Sequence, residues 1–101
     1  MEKLILKVGD RVMVRSDLGE EHNEDIPYGL NYHMTRYAGQ LVTIDCTRSN
    51  VYYRGGVGHE MMEYSIVDDS HDWQWGIFMF SHVLMGNRLV PITEKDDWRD
   101  W

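Results

Sequence analysis

The chain holds a single cysteine, Cys46, so no internal disulfide can form, and a reducing, intracellular setting is the simplest inference. Long apolar runs are missing too. The opening stretch M-E-K-L-I-L-K-V-G-D has three apolar residues in a row, and no run approaches the roughly 18 of a membrane span. Neither export nor membrane insertion is expected. Bases are scarce: ten Lys and Arg stand against seventeen Asp and Glu, a formal charge of −7. That balance argues against direct nucleic-acid binding, whose affinity comes from neutralising phosphates. Catalytic signatures are lacking as well. There is no C-x-x-C, no Ser/His/Asp order and no carboxylate pair in an apolar context. The glycine-rich R-G-G-V-G-H at 54–59 lacks both the Lys-Ser/Thr of a phosphate loop and the G-x-G-x-x-G spacing, and reads as a hairpin connection. No enzyme activity and no cofactor are expected.

What is present is material for one small β domain. A length of 101 residues leaves room for one core, and 43% hydrophobic residues can fill it. A barrel domain is expected over residues 1–92 and a charged tail over 93–101. A first strand is expected over 11–15, with Val12 and Val14 on one face and Gly9-Asp10 as its opening turn. A long acidic loop follows, where Pro27 and Gly29 exclude a regular helix. Leu30, Met34 and Tyr37 are spaced for one or two helical turns ended by Gly39. Residues 40–47 alternate strongly, placing Val42, Ile44 and Cys46 on one face, so Cys46 is expected as a small buried or half-buried hydrophobe. Arg48-Ser49-Asn50 reads as a turn, with Val51-Tyr52-Tyr53 returning as the partner strand. A further strand is expected over 61–67, an acidic turn over 68–72, and Trp73 to Trp75 pairing back. Residues 77–80 suit a 3₁₀-type turn, and Gly86-Asn87 a primed turn between 82–85 and 88–92. The sum is a five- or six-stranded antiparallel barrel with Val12, Val14, Val42, Ile44 and Ile66 in its core. Trp73 and Trp75, two apart, are expected to be both buried or both exposed.

Two kinds of residue could carry binding. The acids fall in three clusters: Glu20, Glu21, Glu24 and Asp25; Asp68, Asp69 and Asp72; and Asp96, Asp97 and Asp100. Such clusters either keep a loop solvated or face a basic partner. The aromatics Tyr52, Tyr53, Tyr64, Trp73 and Trp75 form either the barrel core or, where exposed, an anchoring face for a partner or small ligand. His59, Glu63, His71 and Asp72 invite a metal site, but strand residues four apart lie roughly 13 Å from each other. No metal is expected there.

The segments K-V-G-D-R-V-M-V-R-S-D-L, Y-G-L-N-Y-H-M-T-R-Y-A-G-Q-L-V-T-I and Y-S-I-V-D-D, with W-Q-W and a following M-F, carry a resemblance. Across residues 8–80 the chain resembles small SH3-like barrel proteins of bacteriophages and prophages of Gram-positive bacteria. The resemblance implies a phage or mobile-element protein acting in the cytoplasm of a bacterial host by binding a host protein. We therefore expect a non-enzymatic protein-binding module. Its sharper form inhibits a host nucleic-acid-handling defence protein, in the manner of an anti-CRISPR or anti-restriction protein. Asp68, Asp69 and Asp72, with Glu20, Glu21, Glu24 and Asp25, would then occupy a basic groove. The alternative is a small-ligand or modified-residue reader that uses Trp73 and Trp75.

Overall fold

The structure is a computed structural model that describes residues 6–19, 32–70 and 73–93. Six antiparallel strands occur among these residues: β1 (Arg11–Val14), β2 (Leu41–Arg54), β3 (Val57–Ile66), β4 (Trp75–Gly76), β5 (Phe80–Met85) and β6 (Arg88–Pro91). They form one sheet in the order β4-β3-β2-β1-β5-β6. The sheet is not closed, since no pairing among the described residues joins β4 to β6. Three 3₁₀ segments, Tyr32–Tyr37, Val67–Asp69 and Ile77–Met79, complete the regular structure among the described residues. None of the described helices is long and apolar enough to cross a membrane.

Alternation places the core where the sequence puts it. Val12, Val14, Val42, Ile44 and Ile66 are all at most 1% exposed, and burying each such side chain is worth about 1.5–3 kcal/mol. The register Val12↔Val42 and Ile44↔Ile66 stacks these β-branched residues across three strands. Phe80 and Val83 both join the core although three positions separate them, because the β1–β5 register shifts between Met13 and Val14. This bulge gives β5 an extra residue, Ser81, and so turns both apolar side chains inward.

Two expectations for residues 40–59 are corrected. Arg48-Ser49-Asn50 is no turn: β2 runs through it for 14 residues, and its partner is β3 across Gly55-Gly56. Both glycines have positive φ, +61° and +80°, as a primed two-residue turn requires. The polar residues read as a turn instead bond across the hairpin, Ser49 Oγ to Glu60 Oε1 at 2.8 Å and Asn50 Nδ2 to Glu63 Oε1 at 2.7 Å. Cys46 is exposed rather than buried. Its strand is bulged between Ile44 and Cys46, so Ile44 pairs with Ile66 but Cys46 with Ser65. The extra residue, Asp45, reverses the phase of alternation and turns the thiol outward.

Candidate binding pocket

The acidic turn after β3 is built by its own carboxylates. Val67–Asp69 closes through the Ser70 N–H on the Val67 carbonyl, with Ser70 in the left-handed region at φ 56°. Asp68 Oδ1 accepts the Thr43 N–H of β2 at 2.9 Å, and the Asp68 carbonyl accepts the Tyr37 hydroxyl at 3.1 Å. Asp69 points inward and is 6% exposed. Its Oδ2 accepts the Trp75 indole N–H at 2.8 Å, and its buried Oδ1 has no hydrogen-bond partner among the described residues.

Opposite this turn lies the Tyr32–Tyr37 3₁₀ helix. Thr35 Oγ1 bonds the Tyr32 carbonyl at 2.6 Å within it, and Gly39, with φ +76°, stops it. The Gly39 N–H then donates to the Val14 carbonyl and the Val14 N–H to the Gln40 carbonyl, both at 2.9 Å, which fixes the helix to β1. Three residues per turn set His33 and Arg36 on one side, while Met34 enters the core. Tyr37 stands edge-on to Trp75, with centroids 5.9 Å apart at 80°.

Between helix and turn is a cavity of about 250 Å³ lined by His33, Arg36, Tyr37, Asp69 and Trp73. The Trp73 indole is stacked on the His33 imidazole, centroids 5.9 Å apart at 6°, and the pair brings aromatic surface to the lining. Among the described residues the lining combines a buried carboxylate, an exposed guanidinium and aromatic surface. Such a surface binds by hydrogen bonding, charge and stacking.

The tryptophans do not share one environment, which corrects that expectation. Trp75 is fully buried, stacked on Phe80 at 5.9 Å and 16°, whereas Trp73 is half-buried at the cavity. The reason is that β4 starts only at Trp75, so strand alternation does not extend to Trp73. Trp75 is therefore core and offers no anchoring surface. Asp69 is buried at the edge of the cavity, and the exposed Asp68 is tied to β2. Asp72, Glu20, Glu21, Glu24 and Asp25 lie outside the described residues, as do His71, Asp96, Asp97 and Asp100. His33, Arg36 and Tyr37 were not singled out as site residues from sequence. The i, i+3 spacing of a 3₁₀ helix pairs His33 with Arg36, while no local signal adds Tyr37 or the turn across the cavity.

A second polar cluster sits on the β2–β3 hairpin around Glu63, which is fully buried. Its Oε1 accepts Asn50 Nδ2 at 2.7 Å and the Tyr52 hydroxyl at 2.6 Å, and its Oε2 pairs with Arg48 Nε at 3.6 Å. The Gln74 amide, nitrogen toward Glu63 and oxygen toward Arg48, bridges that pair. Burial, then the hydrogen bond to Glu63 and its negative charge, push the Tyr52 phenol up to about 12. With every neighbour engaged, this cluster welds the hairpin rather than awaiting a ligand. His59, four residues before Glu63, is on the same strand β3.

Compared with known proteins, the chain matches no family model, no curated protein and no solved structure.

Proposed function

We propose that the chain is a non-enzymatic binding module whose contact surface for a basic protein partner is the cavity between the Tyr32–Tyr37 helix and the acidic turn. One observation carries this reading: Asp69, a lining residue, keeps a buried carboxylate oxygen without a partner among the described residues. A buried, unsatisfied polar atom costs about 1–3 kcal/mol, and a donor brought by a partner would remove that cost. The net charge of −7 would steer a basic surface toward it. In its sharper form the partner is a host nucleic-acid-handling defence protein and the module its phage-encoded inhibitor. The support for that form is the sequence resemblance together with the charge. We read the sheet as that of an SH3-like barrel. The bulges in β2 and β5, which bend strands, and the 3₁₀ turn leading into β5 support this.

The test is amide chemical-shift mapping of the whole chain with a basic and an acidic unstructured decapeptide. The basic peptide alone should bind, with shifts at Arg36, Tyr37, Asp68 and Trp73, and added salt should weaken it. Shifts confined to the exposed Val51, Tyr53 and Val57 of the hairpin, or no shifts, would refute the reading. A second reading, a small-ligand reader, is favoured by Arg36 in the same lining, since a ligand with both donor and acceptor could engage Asp69 and Arg36 together.

A further inference from the structure

We infer that the group this pocket takes from a partner is the guanidinium of an arginine side chain, an inference that rests on the basic-partner reading above. Two features of the lining select it. Asp69 is 6% exposed, and among the described residues its buried Oδ1 has no donor while Oδ2 accepts from Trp75, so an N–H that reaches Oδ1 would complete the carboxylate. Beside it Trp73, stacked on the His33 imidazole, brings aromatic surface to the cavity. A guanidinium is planar, weakly hydrated and rich in donors, so it can lie on an indole face and still donate to a carboxylate. An ammonium is a compact, strongly hydrated point charge. It could satisfy Asp69 and be drawn to the ring, but it has no plane to lay along the aromatic surface.

Arg36 opposes any cation in this pocket, and for that reason decides the matter. Its side chain is exposed, so its repulsion acts through water and is screened by salt. If the ligand is cationic, removing the Arg36 charge strengthens binding. If Arg36 instead grips the ligand, its removal weakens binding.

The experiment titrates the full chain with acetylated, amidated Gly-Gly-X-Gly-Gly, where X is arginine, lysine or the neutral isostere citrulline. The readouts are the backbone amides of Arg36, Tyr37, Asp69 and Trp73, and the Trp75 indole N–H, which reports on the Asp69 carboxylate it donates to. The arginine peptide should move all of them, with lysine about threefold weaker and citrulline about tenfold weaker, the scale of one charge-assisted hydrogen bond. Arg36→Gln should tighten the arginine peptide about twofold at low salt, and Asp69→Asn should abolish its effect. Should Asp69→Asn lose the dispersed indole signal of the fold, the exposed His33→Ala carries the test, with about threefold weaker binding expected. Citrulline binding as well as arginine, Arg36→Gln weakening the complex, or His33→Ala leaving it unchanged would overturn the inference. Lysine equal to arginine would overturn it and leave the basic-partner reading standing. If neither cationic peptide binds, and the basic decapeptide also fails, both fall.

Discussion

The indole N–H of Trp75 donates to Asp69 Oδ2 at 2.8 Å in the protein interior, so the largest core side chain is held by a carboxylate at the rim of a cavity. Core packing and the pocket therefore meet in one hydrogen bond. Asp69→Ala would strand the indole donor and should cost about 1–3 kcal/mol in urea unfolding. Asp69→Asn keeps an acceptor of the same shape and should cost less than half as much. Equal losses would show that the charge, rather than the acceptor, holds Trp75.

The Glu63 cluster should respond unequally to removal of its two charges. Glu63 is fully buried, whereas the Arg48 side chain is 53% exposed. Glu63→Ala leaves Asn50, Tyr52 and Gln74 without their acceptor and should cost about 3 kcal/mol, as breaking a buried pair does. Arg48→Ala removes a partner already half in water and should cost about 1 kcal/mol or less. Denaturation midpoints in the reverse order would contradict this assignment.

Alkaline pH should loosen the hairpin through Tyr52. Its folded value of about 12 lies above the model-compound 10.0, so the unfolded chain releases the phenolic proton first. The stabilisation is complete below about pH 10 and is lost as pH rises toward 12. Tyr64, also raised by burial, acts in the same direction. Tyr52→Phe should flatten, without abolishing, the fall in stability between pH 10 and 12 measured by urea titration. An unchanged slope would separate Tyr52 from the effect.

The turn at Gly55-Gly56 can be tested by its conformation alone, since a Cβ at either position would meet nothing within 4 Å. Gly55→Asn should be neutral or slightly stabilising, because asparagine tolerates positive φ and narrows the unfolded ensemble. Gly56→Val should cost about 1–2 kcal/mol, because a β-branched residue resists that region. Equal thermal midpoints for the two variants would place the turn elsewhere.

What the sequence determined by itself is the local part of this fold. Val12, Val14, Val42, Ile44 and Ile66 were legible as core because alternation sets a side chain's face from its immediate neighbours. The Ile77–Met79 turn is legible from the strand break at Gly76, and the β5–β6 hairpin from its turn residues, Gly86 at φ +64° and Asn87. Tertiary structure decided the remainder. The bulge at Asp45 that turns Cys46 outward exists only relative to β3, and the 14-residue reach of β2 depends on cross-strand bonds that Ser49 and Asn50 make with Glu60 and Glu63. The division of Trp73 from Trp75 depends on where pairing with Tyr64 begins. The pocket joins His33, Arg36 and Tyr37 to Asp69 and Trp73 across more than thirty residues of chain. No local pattern encodes that meeting, because it is the sheet between them that brings the helix against the turn.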